Sequence, residues 1–383
     1  MKFSSSWLTL WIGLSVASLS VKPLAGQAGT PAKGQSAGEV FGNVTSSSLK
    51  GLTVDDFMGS MGVMAAALGY DCSNCHAEAG TDKVNWALDT DRKRTARKMT
   101  EMVAVINKTN FGGALLVSCW TCHHGTDVPA TSIALDNLYG PPNEEKADII
   151  AKDDSQPPAT QILDKYIDAL GGAQKLNTLK SFVATGTLGG YLRVKGGGQI
   201  EIFATSPDKR AVRVAYKDAP ERGNQARTFN GTTGWVTTPR ALLGEYEVTG
   251  TELDGLKLDA ELAFPGQIKQ VLTDLRLGYP DKIDGHDVYV VQGRGPRNLL
   301  ATLYFDKETS LLVREIRYGR TPIGRIPSQV DYSDYRAVDG IKFPFQFKFQ
   351  WLDGRDNYQL TDVKVNVPID ESQFGKPRTG SGQ

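Results

Sequence analysis

Four cysteines and two histidines form two short motifs of identical spacing. Cys72-Ser73-Asn74-Cys75-His76 and Cys119-Trp120-Thr121-Cys122-His123 both follow the pattern C-x-x-C-H, and together they contain every cysteine of the 383-residue chain and two of its four histidines. Two thiols three positions apart lie on one helical turn, so each can add to one vinyl group of a haem, and the next residue offers an imidazole to the iron. We therefore predict two covalently bound haem c groups, attached through Cys72, Cys75, Cys119 and Cys122, with His76 and His123 as proximal iron ligands.

Three other uses of the same cysteines are open at this point. A thioredoxin-like redox pair and a zinc site built from all four cysteines both explain the thiols, but neither requires a histidine after each pair. Two simple disulfides are available to a protein that leaves the cytoplasm. Haem attachment explains the histidines as well as the cysteines.

Each iron needs a sixth ligand, for which the sequence favours methionine. Only His124 and His286 remain outside the motifs, so two bis-histidine sites would use every histidine. Thr53 is a suitable N-cap for a helix with Asp55 and Asp56 in its first turn, and Gly69 is a suitable residue to end it. One face of this helix carries Phe57, Met61, Ala65 and Leu68.

A second helix is predicted from Asp91 to Asn107, ahead of the second motif. Its apolar face carries Ala96, Met99, Val103 and Ile106. We predict Met61 as the distal ligand of the His76 haem and Met99 as that of the His123 haem. Core packing is the alternative role for these methionines, and Met58, Met64 and Met102 on the same helices are alternative ligands.

This arrangement of helix, methionine and haem motif, present twice over about residues 50–130, resembles the cytochrome c subunit of photosynthetic reaction centres. The resemblance implies that Met61 and Met99 occupy the positions of the family's distal ligands. Familiar members of the family carry four haem motifs, whereas this chain has two, which correspond to the first pair. The resemblance therefore covers the first half of such a subunit.

The start of the chain has the pattern of an export signal. Lys2 precedes a short apolar run that ends before Lys22, and small residues follow it. We predict a signal peptide over residues 1–28 and a flexible lead-in over 29–50, which implies a periplasmic or otherwise exported protein. An uncleaved signal segment would attach it to the membrane.

The composition changes after residue 150. Asp153-Asp154-Ser155-Gln156-Pro157-Pro158 predicts a linker over 151–158, followed by a helix from Ile162 to Leu170. Strand patterns dominate from there to residue 375, before a flexible tail over 376–383. Strands are predicted over 181–188, 199–204, 212–216, 288–291, 299–305, 311–318, 343–351 and 358–367.

The strand that begins at Phe343 alternates aromatic and other residues, so one of its sides is fully aromatic. Parallel βαβ alternation is absent from the pattern, which favours a mostly antiparallel curved sheet. The segments Ile162–Tyr166, Ala169–Gly172 and Asp334–Pro344 resemble outer-membrane lipoprotein carrier (LolA-like) proteins. That resemblance implies a half-barrel with an apolar cavity. For the aromatic side of the strand we favour core packing over a cavity lining, because strands normally bury one face.

The overall prediction is an α+β protein of two domains: a small helical dihaem cytochrome c domain over 51–150, and a mostly antiparallel half-barrel with a few helices over 159–375. The 43 basic and 43 acidic residues cancel, so the net charge does not favour nucleic-acid binding. The predicted function is single-electron relay between redox partner proteins, with the β-domain docking a partner or binding a lipid or other apolar ligand. We expect each half to fold by itself. A dihaem peroxidase-like enzyme and a redox-sensing lipid or lipoprotein carrier are the alternatives.

Overall fold

The structure is a computed structural model that describes residues 31–81, 83–132, 135, 140, 148–190, 197–216, 224–238, 243–352 and 354–377. The predicted signal peptide lies outside these residues, as do the last six residues of the predicted tail. Across the described part of the chain, no helix combines the length and apolar character needed to cross a membrane.

The N-terminal part is helical where the sequence predicts helices. Thr53 caps α2 by accepting a hydrogen bond from the backbone N–H of Asp56, and Gly69 ends it in the left-handed conformation with φ 66°. Thr90 caps α4, which continues three residues beyond the predicted end at Asn107. The helices of this part are α1 (Ala37–Val40), α2 (Val54–Leu68), α3 (Cys72–Cys75), α4 (Asp91–Asn110) and α5 (Cys119–His123).

The most buried faces of α2 and α4 are not the faces that carry the candidate methionines. On α2 the buried line runs through Phe57, Ser60, Val63 and Ala67, and the side with Met61 is only partly covered. On α4 the buried residues are Thr100, Val103 and Asn107. On each helix, the face that is buried in the structure therefore differs from the predicted face by a rotation of about one residue.

The C-terminal part is one antiparallel sheet, as predicted. The described strands form a sheet of fourteen in the order β6-β5-β4-β3-β2-β1-β14-β13-β12-β11-β10-β9-β7, with β8 paired to β9. The strands are β1 (Ser181–Gly190), β2 (Gly198–Thr205), β3 (Lys209–Ala215), β4 (Gln225–Phe229), β5 (Gly234–Thr238), β6 (Gly244–Val248), β7 (Thr273–Leu277), β8 (Asp281–Ile283), β9 (His286–Arg294), β10 (Leu300–Asp306), β11 (Leu312–Thr321), β12 (Gly324–Val338), β13 (Ile341–Trp351) and β14 (Gly354–Val365).

Four helices accompany the sheet: α6 (Ala159–Ala169), α7 (Ala173–Leu176), α8 (Gly250–Leu262) and α9 (Ile268–Val271), as counted within the described residues. They bury apolar side chains against the sheet in its largest hydrophobic cluster, which contains Leu163, Leu258 and Phe305. The aromatic side of β13 belongs to this core at Phe343 and Phe345, whereas Trp351 at its end is 37% exposed. The core interpretation of this strand is therefore right for its first half.

Helix α2 lies directly against the β-sheet. An added Cβ at Gly59 would lie 2.2 Å from Cδ1 of Ile326, and one at Gly62 would lie 3.2 Å from Cβ of Leu352. These glycines allow the helix backbone to approach β12 and the end of β13. The cytochrome-like segment and the sheet thus share an interface. The prediction that the two halves fold separately did not include such an interface.

Candidate haem-binding site

The first motif is a single helical turn, α3, with a cysteine at each end. Asp71 caps it by accepting a hydrogen bond from the backbone N–H of Ser73 at 2.8 Å, and Asn74 Oδ1 accepts one from the N–H of Asp71 at 2.9 Å. These reciprocal bonds are a capping box, which fixes the turn without help from a longer helix. The two thiols are thereby held three positions apart on one turn.

The second motif has the same construction. Ser118 caps α5 by accepting from the N–H of Thr121 at 3.4 Å, and Thr121 Oγ1 accepts from the N–H of Ser118 at 3.0 Å. His124 leaves the turn in the left-handed conformation with φ 47°. The local structure of Cys119–His123 therefore repeats that of Cys72–Cys75 on an independent sequence.

His76 is half-buried beside an aromatic ring. Its imidazole centroid lies 5.0 Å from that of Trp86 at an interplanar angle of 62°. Burial, together with the positive charge of Lys93, lowers the pKa of His76 to about 4. The imidazole is consequently neutral at pH 7, the form that binds iron, and its Nδ1 is buried without a hydrogen-bond partner among the described residues.

His123 is held by the residues that follow it. Its Nδ1 lies 2.9 Å from the carbonyl oxygen of Thr126, and the hydroxyl of Thr126 donates to the carbonyl of His123 at 2.7 Å. A hydrogen bond from one imidazole nitrogen to a backbone carbonyl fixes the ring and leaves the other nitrogen for a metal. Thr126 was missed from the sequence, although a Thr three positions after the candidate ligand His123 has the spacing of a local side-chain turn.

The two motifs are supported by different elements. The first motif is tied to the start of α4, because Thr90 Oγ1 donates to the carbonyl of Cys75 at 3.2 Å and Arg92 donates to that of Asn74 at 2.8 Å. The second motif is tied to the end of α2, where the N–H of Gly125 donates to the carbonyl of Ala67 at 2.9 Å. The first motif thus follows α2 in the sequence but contacts α4, whereas the second motif follows α4 but contacts α2.

The candidate distal ligands lie on partly covered helix faces. Met61 and Met64 pack at the edge of a small cluster around Val63 and Val103, while Met58 is 36% exposed. On α4, Met99 is 36% exposed and Met102 is 44% exposed. The assignment of Met61 and Met99 as ligands stays a prediction.

Large apolar side chains are exposed in and beside the second motif, which fits a bound haem. Trp120 within the second motif is 41% exposed, and Leu116 just before it is 63% exposed. A haem is a large, mostly apolar ligand that would cover side chains of this kind. Further exposed apolar residues of this segment are Leu88, Val105, Phe111 and Val128.

The alternative uses of the cysteines find less support. Cys75, Cys119 and Cys122 are not joined in disulfides within the described residues. Over that same part of the chain, no group of three or more His, Cys, Asp or Glu side chains could hold a metal ion. The arrangement therefore does not supply the zinc site of four cysteines.

Two capped C-x-x-C-H turns beside methionine-bearing helices are typical of c-type cytochromes. Residues 15–165 match the model of a haem-binding family, the photosynthetic reaction centre cytochrome C subunit. The C-terminal part is similar to a LolA superfamily protein from Nitrosomonas europaea, with 17% identity, 58% of this chain and 99% of that chain covered, and a TM-score of 0.38.

It is also similar to a putative outer membrane lipoprotein-sorting protein domain from Vibrio parahaemolyticus, with 11% identity, coverage of 56% and 97%, and a TM-score of 0.37. The resemblance to the cytochrome c subunit of photosynthetic reaction centres is thereby confirmed over residues 15–165. A search of curated proteins found no match.

Proposed function

We propose that this protein is an exported dihaem c-type cytochrome that passes single electrons between partner proteins. The observation that carries the proposal is the repeated, capped C-x-x-C-H turn, in which each pair of cysteines is followed by a partly buried histidine. When bound, haem supplies a one-electron Fe(III)/Fe(II) couple. The match of residues 15–165 to a cytochrome c family supports cytochrome-like electron transfer.

The proposal assigns each candidate residue a role in haem binding. Cys72 and Cys75 would hold one haem and Cys119 and Cys122 the other, while His76 and His123 would ligate the irons. Methionines on α2 and α4, with Met61 and Met99 first among them, would close the second axial position. A thioether ligand raises the potential and blocks access of small substrates, which suits an electron carrier better than a peroxidase.

The β-domain would serve to dock a redox partner or to bind a lipid or other apolar ligand. Helices α6, α8 and α9 pack with the sheet into one core. The half-exposed aromatic residues at the end of β13 remain for contact with a ligand or a partner. Phe347 stacks on Tyr358 there, with centroids 4.5 Å apart.

Haem counting on purified holoprotein tests the proposal. We expect two haems per chain that stay on the polypeptide through acid–acetone extraction, and one after Cys72→Ala together with Cys75→Ala. Ser73→Ala, which changes the same turn without removing a thiol, is the matched control and should retain two. Haem that passes into the organic phase, or a holoprotein with none, would overturn the proposal.

A further inference from the structure

The turn between β11 and β12 enters the core of the cytochrome-like segment. Ile323 at its tip has no exposed surface and packs with Phe57, Val63 and Val103, which come from α2 and α4. An added Cβ at Gly324 would lie 2.8 Å from Cγ1 of Val63, so the turn backbone itself lies against α2. The β-domain thus supplies a buried member of this cluster.

The same turn is bonded to the second haem motif. The backbone N–H of Cys119 donates to the carbonyl of Ile323 at 3.1 Å, and the Cys119 side chain packs at the edge of the cluster. The turn is stiffened internally, because the hydroxyl of Thr321 donates to the carbonyl of Gly324 at 2.7 Å. Cys119 is therefore held by a residue of the turn between β11 and β12.

The first motif is supported in another way. Its contacts to Thr90 and Arg92 come from within the cytochrome-like segment. The turn is hydrogen-bonded directly to the second motif, whereas it reaches the first haem only through Met61, which packs at the edge of the same cluster. A disturbance at the β11–β12 turn should therefore act more strongly on the second haem than on the first. This asymmetry makes the role of the turn testable.

We propose that Ile323 is a positioning residue of the second haem site, so that the β-domain is a structural part of one redox centre. The inference rests on the proposed function, because it requires a haem at Cys119 and Cys122. Burial and packing around an iron centre set its potential, and entry of water favours the more highly charged ferric state. Loss of the Ile323 side chain would open the cluster on the side where Cys119 lies.

The test is Ile323→Ala in the full-length holoprotein, followed by redox titration. To assign the potentials, the substitution is combined with Cys72→Ala and Cys75→Ala, which leaves the second haem, or with Cys119→Ala and Cys122→Ala, which leaves the first. We expect a downward shift of the potential of the second haem that is clearly larger than any shift of the first. Ile268→Ala is the matched control, since Ile268 is 1% exposed in the separate core of the β-domain, and it should shift neither.

Two results would overturn the inference: an unchanged potential of the second haem, or equal shifts of both haems. If Ile323→Ala does not yield folded protein, Ile323→Val is measured instead, with a smaller downward shift expected and an unchanged potential overturning the inference. A wild-type holoprotein without covalent haem is a different outcome, which refutes the proposed function itself.

Discussion

Asp55 Oδ2 accepts a hydrogen bond from the backbone N–H of Thr249 at 3.1 Å, which joins the first turn of α2 to the end of β6. The neighbouring Asp56 accepts one from the hydroxyl of Thr251, in the first turn of α8. The start of the methionine-bearing helix is therefore fastened to the β-domain by two adjacent carboxylates. One of them makes this junction sensitive to pH.

Burial raises the pKa of Asp55 from 3.8 to about 6, against the lowering effect of its bonds to Thr249 and Tyr246. Because the folded state favours the protonated form, this contribution to stability is complete below about pH 4 and is lost as the pH rises through 6. Asp55→Asn keeps an oxygen for Thr249 and carries no charge. We expect it to increase the free energy of unfolding at pH 7 by about 3 kcal/mol and to have little effect at pH 4.

Denaturant unfolding at several pH values between 4 and 7 measures this difference. Asp154→Asn, at an exposed position in the predicted linker, is the control and should leave the curve unchanged. Parallel curves for wild type and Asp55→Asn across this range would contradict the prediction.

The ligand prediction concerns four methionines on two helices. Met61→Ala and Met99→Ala should each abolish the methionine-to-iron charge-transfer band of one ferric haem and open that haem to carbon monoxide. Met58→Ala and Met102→Ala change the same helices at exposed positions and should leave both bands in place. The opposite pattern would transfer the assignment to Met58 or Met102, and unchanged spectra in all four variants would exclude these methionines.

Gly69 is predicted to be intolerant of any side chain. It has a φ of 66°, and an added Cβ would lie 2.2 Å from the carbonyl oxygen of Gly125, just after the second motif. Gly69→Ala should lower the free energy of unfolding by about 2 kcal/mol or more, from the left-handed backbone and the clash together. Gly51→Ala, where no atom lies within 4 Å of the added Cβ, is the control for thermal or denaturant unfolding.

A chain that ends near residue 155 tests how far the two parts depend on each other. Removal of the β-domain would uncover Phe57, Val63 and Val103, which are each at most 9% exposed in the full chain. We expect the shortened chain to be more sensitive to protease and to show an altered second haem, with the first haem less affected. Unchanged potentials for both haems would support the separate folding expected from the sequence.

Local patterns predicted the local structures. The caps Thr53 and Thr90 and the terminal Gly69 begin or end the helices where expected, because caps and left-handed glycines act over a few residues. The eight predicted strands lie within or near observed ones. Six described strands were missed, namely β4 to β8 and β12. In β12, the longest, Asp331, Ser333 and Asp334 interrupt any apolar alternation.

Contacts between distant segments could not be predicted in this way. Nothing around Ile323 or Cys119 in the sequence indicates that their backbones are hydrogen-bonded. The displaced faces of α2 and α4 have the same origin, since burial there depends on which neighbour covers the helix. The alternation of residue types indicates a periodicity, but it does not identify the segment that covers the apolar face.

The bond between Cys119 and Ile323 also constrains the order in which the protein matures. A chain is synthesised from its N-terminus, so both haem motifs exist before the β11–β12 turn, which lies about 200 residues further on. Attachment of a haem requires access to both thiols of a motif, and the folded turn covers one side of Cys119. If the proposed haem is attached at Cys119 and Cys122, we expect its attachment to precede closure of the sheet, and a β-domain that folded first would leave the protein with a single haem.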